Sequence, residues 1–251
     1  MNPIPITPMV KKLIIINVVI WLVLQIFVER MLGVPLTPWV ALFPELVLQK
    51  FMIWQLLTYQ FFHSVSVDSF THLLFNMLML WFFGSELENR WGKKYFLFYY
   101  LMTGVMAGLI YCLGVGVYTM VTGVDLAMRV PVIGASGAIF GLLLAHGLLF
   151  SERIVYFFMI FPMKNKVFVM LMGLIQIGSM LSSSFAGSGV AYLCHLGGLI
   201  SGYILLKLRP LGRNWGKTGG PGLRAQTQRK GNLRLVVDNE KKEHDKPKYW
   251  N

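Results

Sequence analysis

The chain has 251 residues, 55% of them hydrophobic and only 14% charged, with a mean hydropathy of +0.59. Soluble globular domains carry about 25% charged residues, so this composition points to a membrane protein. The net charge of +12 is concentrated at one end. Residues 209–251 hold eleven Lys and Arg against four Asp and Glu, which reads as a topology signal and argues against a nucleic-acid surface on an apolar body.

Residues 1–10 form a short N-terminal segment with Pro3, Pro5 and Pro8. Lys11-Lys12 precede an apolar run over 13–28 that only Asn17 and Gln25 interrupt. A signal peptide competes for this run, but Glu29-Arg30-Met31 offers no small-residue cleavage site, so a retained first span is expected. Residues 29–70 read as a long connection whose aromatic part, Phe51 to His63, suits the membrane interface. Further spans are expected at 71–87, 94–113, 135–150, 166–181 and 190–207, each near the roughly 20 residues that a hydrocarbon core of about 30 Å requires. The apolar stretch 154–161 is too short to cross and reads as interfacial. The Met- and Phe-rich fifth span reads mainly as lipid-facing. Cys112 and Cys194 lie in apolar segments and are expected to stay unpaired. The tail 209–251 reads as basic and disordered, apart from a possible strand at 233–237.

Six spans put both termini on one side. With that side cytoplasmic, 20 of the 23 Lys and Arg lie inside and only Arg30, Lys50 and Arg129 outside. The expected fold is therefore an all-α, six-span integral membrane bundle with both termini cytoplasmic. Its body covers 11–208.

Spans two, four and six then run in the same direction, from outside to inside, and their polar residues gather at the outer end. His72 and Asn76 open span two, Ser136 opens span four, and His195 lies early in span six. All four fall within about 10 Å of their helix starts. Ionisable residues inside a membrane are functional candidates by default. A serine hydroxyl becomes a competent nucleophile when a base within about 2.6–3.2 Å takes its proton, and His is the usual base. Gly137 and Gly141 on span four, with Gly198 and Gly202 on span six, repeat at i, i+4 and permit close backbone packing. That packing would bring His195 to Ser136. His72 and Asn76, one turn apart on one face, can donate hydrogen bonds to an oxyanion, as can the Ser136 backbone N–H. No acidic residue is placed to orient His195, so the expected unit is a Ser–His dyad.

Each residue has a plainer reading. Ser136 alone can be a packing serine, His195 alone structural glue, and His72 with Asn76 a helix start. Their shared depth on three helices favours chemistry. A zinc site is the rival use of the histidines, but there is no HExxH and no carboxylate partner, so no metal is expected. His146 lies about 15 Å deeper than Ser136, His63 reads as structural, and His244 lies in the tail.

The pieces His72-Leu73-Leu74-Phe75-Asn76, Gly134-Ala135-Ser136-Gly137 and His195-Leu196-Gly197-Gly198 with Gly202 resemble the rhomboid family of intramembrane serine proteases over roughly residues 10–208. The resemblance implies Ser136 as nucleophile, His195 as base, His72 and Asn76 as oxyanion-hole residues, and Phe140 as the aromatic packed on the base. It implies cleavage of transmembrane protein substrates near the membrane surface with no cofactor, in contact with lipid and without nucleic acid. Trp54-Gln55 matches the family's Trp-Arg motif only in part. Residues 182–189 stand where relatives carry a cap over the site, and span five where a lateral gate is proposed. A catalytically inactive relative that binds membrane clients is the alternative. A transporter ranks below both, because no paired repeat is present. A compact six-span layout without a targeting extension suggests the bacterial inner membrane.

Overall fold

The computed structural model describes residues 5–65, 69–157, 160–183 and 189–208. The chain divides into units Met1–Gly216 and Lys217–Asn251. The second unit lies outside the described residues, as do the tail 209–251, its expected strand at 233–237 and most of the expected cap at 182–189.

The protein is mostly helical. Helix α1 (Pro8–Met31) begins with proline in its first turn, where the missing N–H costs nothing. The Glu88 carboxylate accepts the Thr7 hydroxyl and the Met9 and Val10 backbone N–H groups, capping this helix from another one. The expected open connection instead carries three short helices, α2 (Thr37–Val40), α3 (Pro44–Lys50) and α4 (Gln55–Thr58). Gln55 ties them together while fully buried. Its Oε1 accepts the Phe43 N–H at 3.1 Å and its Nε2 donates to the Pro38 carbonyl at 3.0 Å.

Helix α5 (Ser69–Met79) continues through a wide turn, Leu80–Gly84, into α6 (Ser85–Trp91). Gly92, at φ +79°, then reverses the chain into α7 (Lys93–Thr122). Helix α8 (Ser136–Leu149), a hairpin of β1 (Ile154–Phe157) and β2 (Phe161–Lys164), α9 (Asn165–Ser182) and α10 (Gly189–Lys207) follow. The hairpin is antiparallel, pairing Ile154 with Lys164 and Phe157 with Phe161.

Among the described residues, three helices are long and apolar enough to cross a membrane: α1, α7 and α9. Helix α8 has 14 residues, which is about 21 Å, and α7 has 30, about 45 Å. The main core gathers Leu80, Leu87, Trp91, Phe96, Tyr99, Tyr100, Ala138 and Leu142. A second cluster joins Leu42, Tyr59, Ala107, Tyr111 and Cys194 beneath the connection.

Three expectations need correction. The third span does not stop at 113, because α7 runs on to Thr122 and ends only where Gly123 takes φ +72°. The aromatic connection splits in two. Phe51, Ile53 and Trp54 are exposed as an interface segment would be, but Tyr59, Phe62 and His63 are buried because Tyr59 donates to the Gly104 carbonyl at 2.7 Å. The stretch 154–161 does not lie alone. Its first four residues pair with Phe161–Lys164, so Pro162 sits in a strand of a two-stranded hairpin.

Candidate active site

The loop before α8 is held from two sides. Leu42 and Val132 exchange backbone hydrogen bonds at 3.0 Å, and the Gly134 N–H donates to the Tyr59 carbonyl at 2.9 Å. Gly134 has φ +123°, a conformation that suits glycine. A Cβ there would stand 3.0 Å from His72 Cε1 and 3.7 Å from Asn76 Nδ2, so the loop passes directly over the α5 residues. One residue on, the Ala135 N–H points to His63 Nε2 at 3.5 Å. The chain then enters α8 at Ser136.

Glycines set the approach of α10. A Cβ on Gly198 would stand 2.1 Å from the Gly137 carbonyl oxygen, and one on Gly202 would stand 2.8 Å from Gly141 Cα. The Tyr99 hydroxyl fastens the contact, bonding the Gly141 carbonyl at 3.0 Å and the Gly202 carbonyl at 2.8 Å. With the backbones this close, His195 Nε2 lies 2.7 Å from Ser136 Oγ. The Phe140 ring stacks on the His195 imidazole at 4.5 Å between centroids and 15° between planes. Ser136, His195, Phe140 and the four glycines are thus brought together. His72 and Asn76 lie against the Gly134 loop beside them.

Asn76 is 6% exposed, and its Nδ2 has no hydrogen-bond partner among the described residues. An unpaired buried donor costs about 1–3 kcal/mol, so its persistence calls for a purpose.

Gln176 went unread in the sequence, and His63 and Tyr59 lie nearer the site than their structural and interfacial readings implied. Gln176 of α9 has its Oε1 2.8 Å from His195 Nδ1. The signal was there, as a single amide inside an apolar span. Gln176 is one of few buried residues on a span that is otherwise mainly exposed, as a lipid-facing helix would be, and that packs Phe168 against Phe83 at 5.9 Å. His63 lies within a ring contact of His72, 5.5 Å between centroids, and burial pushes its pKa down to about 3. Tyr59 reaches the site from the connection, its hydroxyl 3.6 Å from Cys194 Sγ. His146 stands apart from the site: its Nε2 is 2.8 Å from Glu86 Oε2, and its Nδ1 is 2.7 Å from Asn165 Nδ2.

A family profile described as the Rhomboid domain matches residues 50–209. The chain is 31% identical over 157 residues to a Bacillus subtilis (strain 168) protein named as a rhomboid protease, YdcA. That similarity spans 61% of this chain and 65% of the relative. It is 32% identical over 141 residues to Rhomboid protein 1, mitochondrial, of Saccharomyces cerevisiae, spanning 56% of this chain and 38% of that protein. The similarity thus spans less than two thirds of the length of either relative.

Proposed function

The chain belongs to the rhomboid family of intramembrane proteases, and from that premise we propose that it is a serine endopeptidase cutting transmembrane segments near the outer membrane surface. It is an integral membrane protein with apolar helices. The observation that carries the reading is the 2.7 Å approach of His195 Nε2 to Ser136 Oγ inside an apolar bundle.

His195 Nε2 takes the Ser136 proton as Oγ attacks the substrate carbonyl carbon, and the carbonyl electrons move onto oxygen. Asn76 Nδ2, the His72 ring N–H and the Ser136 backbone N–H then receive that oxyanion. The C–N bond breaks as His195 returns its proton to the leaving amine, which leaves an acyl-enzyme on Ser136. A water deprotonated by His195 attacks the ester, and the proton returns to Ser136 as the acid leaves. Phe140 holds the imidazole plane from its open face. No step calls for a cofactor or a metal.

The topology we propose has six spans and both termini in the cytoplasm, supported by the distribution of Lys and Arg. Residues 11–208 form the protease domain and 209–251 a basic cytoplasmic tail. The proposed partners are transmembrane protein substrates and membrane lipid, and the proposed location is a bacterial inner membrane. The test is cleavage of a purified transmembrane substrate in detergent, wild type beside Ser136→Ala. Cleavage by wild type alone supports the reading, and equal cleavage by both overturns it.

A further inference from the structure

We propose that Gln176 is a positioning residue for this reaction: its side-chain carbonyl fixes His195 in the tautomer that leaves Nε2 free to take the Ser136 proton. The inference rests on the Ser136–His195 reading above.

The imidazole has one ring nitrogen toward each neighbour. Nδ1 lies 2.8 Å from Gln176 Oε1 and Nε2 lies 2.7 Å from Ser136 Oγ. A neutral imidazole carries one N–H, so the two bonds are not independent. An Oε1 acceptor holds the proton on Nδ1, and Nε2 then presents a lone pair to the serine O–H. The reverse amide orientation would donate to Nδ1, put the proton on Nε2, and turn the base into a donor toward Oγ. Only the first arrangement lets Ser136 lose a proton. Gln176 is therefore the acceptor that an acid supplies in a Ser–His–Asp triad.

The local structure shows why an amide does this. Gln176 is 8% exposed, while Leu174, Ile175 and Ile177 around it are 57%, 41% and 43% exposed. Helix α9 is thus apolar on its outer face and turns this one amide inward. A carboxylate at that position would carry a desolvation penalty of several kcal/mol before any substrate arrived. The amide orients the ring without a standing charge. It is held in place from the far end of its own helix. Asn165 Nδ2 bonds the His146 carbonyl at 2.9 Å, and Gln176 follows eleven residues later, roughly 16 Å along the axis. The other titratable groups facing His195 are Ser136 on α8, His72 on α5 and Tyr192 on its own helix. Among the described residues, no acid pairs with His195.

The test uses the full chain in detergent, after wild type and Ser136→Ala have shown that turnover depends on Ser136. Gln176→Leu and Gln176→Glu are then compared by kcat, KM, pH profile and the nitrogen-15 resonances of His195. Loss of the acceptor should lower kcat about ten- to a hundredfold in the Leu variant, with KM within about twofold and the Nδ1–H tautomer depleted. Glutamate accepts through an ionised carboxylate or through the carbonyl oxygen of its neutral form. It should keep kcat within about threefold and move the acid limb of the profile up by about one pH unit. A Leu variant with wild-type kcat and tautomer overturns the inference, and so does a Glu variant as slow as the Leu variant. If the Leu variant does not fold, the Glu arm decides alone. Turnover independent of Ser136 would remove the premise instead, which is a distinguishable failure.

Discussion

The bundle has two polar ends built from largely the same helices, and they handle charge in opposite ways. At the end where α5, α8 and α10 begin, Ser136, His195 and Gln176 form a chain of neutral groups, and Asn76 keeps a buried donor unpaired. At the other end the groups are ionic. Glu86 meets both His146 and Arg153, Glu88 caps α1, and Glu152 pairs with Lys164 at 2.7 Å. The ionic end joins α1, α6, α8, α9 and the hairpin into one frame. The neutral end is supported by that frame, and under the proposed function charge would appear there only while a bond is being made or broken. The proposed function would thereby place stability and chemistry at separate ends of short helices.

The comparison breaks most sharply at the glycines. Gly198→Leu should abolish turnover without touching a reacting group, because its Cβ alone would sit 2.1 Å from the Gly137 carbonyl. Substrate cleavage in detergent checks this, and wild-type turnover would refute the packing argument. Asn76→Ala should lower kcat by roughly 10²–10³, the cost of one oxyanion donor, without lowering the melting temperature, because that donor has no partner to lose among the described residues. The ionic end should answer in reverse. Glu86→Gln should cost about 1–3 kcal/mol of unfolding free energy by denaturant titration and leave kcat of the folded protein within about twofold.

A smaller effect follows from His63, which lies at the neutral end but serves structure. Its folded pKa is about 3 against an ordinary value of 6.5, because burial disfavours the cation. The unfolded chain therefore binds a proton below pH 6.5 that the folded protein refuses. The stability His63 contributes is present above pH 6.5 and is lost as pH falls toward 3, by at most about 1.4 kcal/mol per pH unit. Melting curves between pH 7 and 5 should show a slope that His63→Gln reduces.

Much of the neutral end was legible in the sequence. Ser136 and His195 stood out as polar residues in apolar spans, and Gly137, Gly141, Gly198 and Gly202 announced a contact by their spacing alone. What the sequence concealed were groups whose meaning depends on a neighbour. Gln176 is one amide among Leu174, Ile175 and Ile177, and nothing in its own helix says that it faces a histidine. Glu86 and His146 are sixty residues apart and read separately as a span end and a deep histidine. Tyr59 and His63 looked interfacial because aromatic residues favour that zone, whereas the Gly104 carbonyl and Gln25 draw them inward. Helix α7 outran its expected end because Gly114 and Gly116 lie within the helix, packed by Leu193 and Leu48.

The central claim is that Ser136 is a nucleophile activated by His195. Purified protein treated with a fluorophosphonate probe should become phosphonylated at Ser136, as read by peptide mass mapping, and His195→Ala should lose the label while remaining folded. Labelling at another residue, or none in folded wild-type protein, would contradict it.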